Sequence, residues 1–109
     1  MDMVTNQYAV HWIALDPTKG NEVNKTRPCV IISPNEMNKY LNTVIIAPLT
    51  HTLKIYPSRI LCDINGDKGS IMLDQIRSVD KSRIGSIFVN RLNELEIAEI
   101  KSIINKMLC

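Results

Sequence analysis

Between Leu15 and Pro34 the chain reads LDPTKGNEVNKTRPCVIISP. The first part, Asp16 to Thr26, is strongly polar and carries two breakers, Pro17 and Gly20, which mark a loop. The second part, PCVIIS at 28–33, is an almost unbroken apolar, β-branched run, which predicts a strand covered on both faces. Just upstream, YAVHWIAL at 8–15 mixes aromatic and β-branched residues and predicts a first strand. Hairpin connections are commonly about 2–5 residues. A polar loop of this length in a small domain is either functional or a loose connector.

Further along, Pro34 ends the second strand, and NEMNKYLN at 35–42 predicts a single helical turn. TVIIAPLT, 43–50, reads as a third strand closed by Pro48, and SRILCDI, 58–64, as a fourth. Asn65-Gly66-Asp67-Lys68-Gly69 is a turn of the Asn-Gly hairpin kind. SIMLDQIRSVD then gives one or two strands, bent at Asp74-Gln75, and RIGSIFV, 83–89, the last strand. Beyond it the period changes. Leu95, Ala98, Ile103, Ile104 and Met107 recur at helical spacing with charged residues between them. Asn93 is placed to cap this helix, with Glu96 three residues later as in a capping box, and Leu92 and Ile97 as a hydrophobic staple. Consecutive short strands and one final helix predict a mainly β chain with helices (α+β). The expected architecture is an antiparallel sheet curled into a small half-open barrel with a C-terminal α-helix.

The 109 residues, 45% of them hydrophobic, suit one folded domain over 1–109. No apolar run is long enough to span a bilayer, and no basic leader precedes an apolar stretch. Cys29, Cys62 and Cys109 are odd in number and far apart, with no CxxC pair. They read as thiols in a reducing cytoplasm, not as a disulfide frame or zinc site. The net charge of +2 decides little, but residues 17–59 hold six cations against Glu22 and Glu36. A basic segment of this kind fits either an anionic partner or an ordinary solvated face.

Several residues could carry chemistry. Arg27 stands where the loop meets the second strand, stiffened by Pro28, and offers a planar fork of donors to a phosphate or to a carboxylate. Thr50 and His51 follow the third strand; a hydroxyl there can donate to phosphate, and a histidine can move a proton near neutral pH. Asp74 and Gln75 interrupt an apolar run, with Arg77 close behind, and line a groove or form a bend. His11, inside an apolar strand, reads as structural. No metal-ligand spacing, GxSxG, P-loop or HExxH occurs, so no cofactor is expected.

Taken in order, DPTKGNE (16–22), RPCVIISP (27–34), PLT (48–50), YP (56–57) and LDQIRSVD (73–80) resemble the MazF/PemK-type toxin family over nearly the whole chain. The resemblance implies a small SH3-like barrel, a homodimer, and a toxin that cuts single-stranded RNA at short sequences without a metal. A cognate antitoxin would cover the substrate groove with an extended segment. It implies that Arg27 acts at the scissile phosphate, that Thr50 helps hold that phosphate, and that Glu22 takes part in activity. Lys19, Gly20 and Asn21 of the loop, a lid in this reading, are expected to contact RNA, together with His51, Asp74, Gln75 and Arg77. The chain departs from the family at Tyr8-Ala9, Val23 and Met72, where many relatives carry Gly-Asp, Gln and, in some, Arg.

Two other readings compete. A CcdB-like gyrase poison shares the barrel, but acts through a C-terminal Trp-Gly-Ile, whereas this chain ends Lys106-Met107-Leu108-Cys109 and has its one tryptophan at Trp12. A non-catalytic SH3-like binding module would use an aromatic groove. The aromatic content of 5% argues against that, and predicts that charge and hydrogen bonds hold the RNA more than stacking does.

Overall fold

A computed structural model describes residues 6–15, 26–51, 56–64 and 66–108. In chain order the elements are β1 (Ala9–Ala14), β2 (Thr26–Ile31), α1 (Asn35–Tyr40), β3 (Thr43–Thr50), β4 (Arg59–Ile64), β5 (Asp67–Met72), a 3-10 turn at Leu73–Gln75, β6 (Arg77–Asp80), a second 3-10 turn at Lys81–Arg83, β7 (Ile84–Arg91) and α2 (Glu94–Leu108). Every strand pairing is antiparallel, in the order β4-β5-β3-β2-β1-β7, with β6 also on β3. The expected half-barrel with a C-terminal helix is the observed fold.

The sheet curls because β3 serves three partners. Its first half pairs with β6 (Thr43↔Asp80 to Ile46↔Arg77), while its last two residues pair with β5 (Leu49↔Ile71, Thr50↔Ser70). Pro48 does not close this strand, contrary to the expectation from sequence; β3 runs through it to Thr50. Proline has no N–H for a ladder. Pro48 falls in the gap between the β6 and β5 registers, opposite Cys29, so the missing donor interrupts neither of those two ladders.

The apolar run of β2 is covered on both sides. Val30 belongs to a cluster with Val10, Ala47, Leu73 and Ile100, the last from α2. Its neighbours Cys29 and Ile31 face the other way, into a second cluster with Ile13, Ile46 and Val79. Each buried Val, Leu or Ile among them contributes about 1.5–3 kcal/mol relative to exposure. A buried polar knot ties α1 to the sheet: Ser33 Oγ donates to Asn38 Oδ1 at 2.5 Å, Asn38 Nδ2 donates to the Ser33 carbonyl at 2.9 Å, and the Ile45 N–H donates to Ser33 Oγ at 3.0 Å.

Two boundaries and one helix face also differ from the sequence reading. The β4–β5 turn is tighter than Asn65 to Gly69, because β5 already begins at Asp67; Gly66 takes a φ of +88°, and its N–H donates to Asp63 Oδ1. β2 begins at Thr26, so Arg27 lies inside the strand, paired with Ile13, and not at its threshold. In α2 the covered apolar residues are Ile97, Ile100, Ile103 and Ile104, while Leu95 and Ala98 face outward. The isoleucines form the continuous stripe, and Leu95, two residues before Ile97, falls on the opposite side.

Candidate functional site

Antiparallel pairing brings the end of β3 beside the start of β2. Arg27 and Thr50 consequently share a ridge between two open clefts and line both. One cleft, about 420 Å³, is walled further by Leu15, Tyr56, Arg59 and Gln75. The other, about 470 Å³, lies toward Trp12, His51, Asp67 and Gly69. Arg27 pairs with no carboxylate among the described residues. An arginine on a rigid strand without an internal counter-ion is suited to an anionic ligand.

Gly69 sets the position of Thr50. A Cβ at Gly69 would stand 2.5 Å from the Thr50 carbonyl oxygen, so only glycine lets β5 approach β3 this closely. His51 lies just beyond, exposed, with Nε2 3.8 Å from the equally exposed Asp67 carboxylate.

On the opposite wall the 3-10 turn at Leu73–Gln75 presents Gln75 to the first cleft. Asp74 is not part of that lining. Its Oδ1 accepts from Ser58 Oγ at 3.1 Å and from Arg59 Nε at 3.4 Å. Partial burial raises the Asp74 pKa, but hydrogen bonds from Arg59, its own backbone and Ser58, with the Arg59 charge, outweigh this and hold it below the usual aspartate range. Arg77 sits on β6 opposite Ile46, outside the walls of both clefts.

Of the residues expected from sequence, the fold gathers Arg27, Thr50, Gln75 and His51 around one ridge. It sets Asp74 at the rim and Arg77 apart. Lys19, Gly20, Asn21 and Glu22, with the lid they would form, lie outside the described residues. Sequence reasoning missed Trp12, Tyr56 and Arg59. Despite the low aromatic content, Trp12 and Tyr56 are exposed, one at each cleft. Trp12 carried a readable signal, a bulky aromatic at the outward position of β1, whose burial alternates beyond His11. His11 is buried, as a structural residue should be. Desolvation lowers its pKa, opposed by a backbone hydrogen bond at Gly85. Cys29 and Cys62 are buried thiols, pushed up to about 12 by desolvation. Among the described residues no three His, Cys, Asp or Glu side chains assemble as a metal-binding group, and no helix is long and apolar enough to cross a membrane.

A curled antiparallel half-barrel whose ridge carries a threonine and an arginine, the latter without a carboxylate partner among the described residues, defines a small β domain with a site suited to an anion. Residues 6–108 match the family model described as PemK-like, MazF-like toxin of type II toxin-antitoxin system, and the chain belongs to that family. It is 29% identical over 97 residues to the endoribonuclease toxin MazF of Escherichia coli K12, covering 89% of this chain and 87% of that one. It is 35% identical over 83 residues to the endoribonuclease MazF of Staphylococcus saprophyticus, covering 69% and 68%. A chain of the crystallised MazE-MazF of Deinococcus radiodurans shares the fold with a TM-score of 0.85 at 24% identity, over 98% of this chain and 97% of that one.

Proposed function

We propose that the protein is the toxin of a toxin–antitoxin pair and an endoribonuclease that cuts single-stranded RNA at short sequences without a metal ion. The observation that carries this reading is the ridge: Arg27, without a carboxylate partner among the described residues, and Thr50 stand between two clefts. A strand of RNA laid across the ridge places one phosphate at Arg27 and the flanking nucleotides in the clefts on either side. The neighbouring 2′-hydroxyl gives up its proton and attacks that phosphate, and the bond to the 5′ oxygen of the next nucleotide breaks as that oxygen takes up a proton. Arg27 stabilises the charge that builds on the non-bridging oxygens, and the Thr50 hydroxyl donates to one of them. A free arginine has a pKa above about 12, so its first role is charge stabilisation and not proton abstraction. Glu22, with Lys19, Gly20 and Asn21, acts from the loop. Gln75 in the first cleft and Asp74 at its rim contact the bases, Arg77 contacts the RNA outside the clefts, and His51 contacts it from the second cleft.

The family membership and the relatives named endoribonuclease support this reading. The antitoxin is a protein whose extended segment occupies the same clefts and excludes RNA; a structural neighbour is a MazE-MazF complex. The working form is a homodimer in the cytoplasm, where messenger RNA is accessible.

The test is incubation of purified, antitoxin-free protein with a long single-stranded RNA in the presence of EDTA. Discrete fragments are expected. Arg27→Ala should fold and cut about 10²–10³ times more slowly, the usual cost of one preorganised donor. Full activity in that variant, or no cutting by a folded parent protein, would remove the assignment.

A further inference from the structure

The first cleft holds a second guanidinium. Arg59 opens β4 directly opposite Met72 of β5, and both residues line the cleft that Arg27 lines. Its side chain is only 16% exposed. The Tyr56 ring lies 4.8 Å from its guanidinium carbon, a cation–π contact. Asp74 Oδ1, fixed in turn by Ser58 Oγ, holds its Nε at 3.4 Å. That contact is long beside the roughly 2.7–2.9 Å of a strong charge-assisted bond. Asp74 is itself 38% exposed, so water screens its charge.

Only Nε is engaged. Neither terminal nitrogen of Arg59 has a hydrogen-bond partner among the described residues. A largely covered guanidinium whose terminal nitrogens meet only the water of the cleft gains charge-assisted bonds when an anion replaces that water. Among the described residues the lining of this cleft contains Arg27 and Arg59 and no carboxylate. Tyr56 and Asp74 hold the guanidinium from the ring face and the Nε edge, which leaves the terminal nitrogens for a ligand.

We propose, on the basis of the RNA-cleaving reading above, that Arg59 is a second phosphate-contacting residue. It takes the backbone phosphate next to the one at Arg27, and Tyr56 and Asp74 are its positioning residues. Because every nucleotide brings a phosphate, this contact adds affinity and register without reading sequence.

The test is binding of two unrelated RNA oligonucleotides, 2′-O-methylated so that they cannot be cut, across a series of KCl concentrations. A contact to one single-strand phosphate contributes about 0.7 to the slope of log affinity against log salt. Arg59→Gln should reduce the slope by about that amount and weaken both RNAs alike, whereas Arg59→Lys should keep the slope. An unchanged slope in a folded Arg59→Gln protein, or a loss confined to one RNA, overturns the proposal. Should the Gln variant not fold, the parent protein decides, using oligonucleotides with one neutral methylphosphonate at each position in turn. Two adjacent sensitive phosphates support the proposal, and a single one overturns it. Failure of the parent protein to bind RNA at all would remove the underlying reading as well, whereas binding with an unaltered slope removes the role of Arg59 alone.

Discussion

Single atoms decide much of this site. The Cβ that Gly69 lacks would meet the Thr50 carbonyl, a backbone atom that cannot swing aside. Gly69→Ala should cost about 1–3 kcal/mol, the usual range for overpacking. The same shift displaces Thr50, and a misplacement near 1 Å can cost on the order of 10²-fold in rate. Urea denaturation and single-turnover RNA cleavage together check this; a variant with parental stability and rate would show that β5 can move away freely. The Asp74–Arg59 pair has a defined pH signature. The folded pKa of Asp74 is depressed, so its contribution is present above the unfolded value of roughly 4 and is lost as pH falls through the lower folded value. Parent protein should exceed Asp74→Asn in stability at neutral pH by under about 1 kcal/mol, given the exposure of Asp74, and the gap should close in acid. A gap that stays constant down to the acid limit would show that the carboxylate charge is not what stabilises.

At the scale of elements, the start of α2 was the most legible part of the chain. Asn93 Oδ1 accepts from the Glu96 N–H at 2.8 Å, and Glu96 Oε1 accepts from the Asn93 N–H at 2.9 Å, so the capping box read from sequence is formed. Glu96 does more than a cap requires: its Oε2 also accepts from the Asp63 N–H of β4 at 3.3 Å, which ties the helix to the sheet. Asn93→Ala should lose about 1 kcal/mol, and Glu96→Ala more, because it also strands the Asp63 donor. Equal losses in denaturant titrations would mean that the β4 contact contributes nothing. The strands were legible for a similar reason, since β-branched runs and Gly66 act locally. Their ends were not. Pro48 looked like a terminus because its missing N–H is a local fact, whereas the gap that accommodates it exists only once β5 and β6 both dock on β3.

For the molecule as a whole, the family's motifs lie in order along the chain, and the fold brings several of them together. Residues 27 and 50 are neighbours on one ridge because β2 and β3 are antiparallel around α1. α2 leaves Leu95 in its first turn and Leu108 at its end largely exposed, apolar surface that a second copy can cover. A homodimer is expected by sedimentation velocity at micromolar concentration, and a monomer alone under those conditions would remove the proposed working form.

By itself, the sequence determined the strand and helix content, the cap of α2, the curled antiparallel class and the family. These depend on short-range periodicity and on motifs a few residues long, which are physical before the chain is folded. It also marked Arg27, Thr50, Asp74 and Gln75 as candidates. Only the tertiary structure decided which of them meet: Arg27, Thr50 and Gln75 at one cleft, Asp74 at its rim and Arg77 apart. Only it placed Arg59 and Tyr56 in the same wall and turned Trp12 outward. In the sequence Arg59 is one basic residue among several, and its environment is made by a strand pairing and a 3-10 turn more than ten residues away. Charge can be counted along a chain, but coverage, counter-ions and idle donors come into being only when distant segments pack.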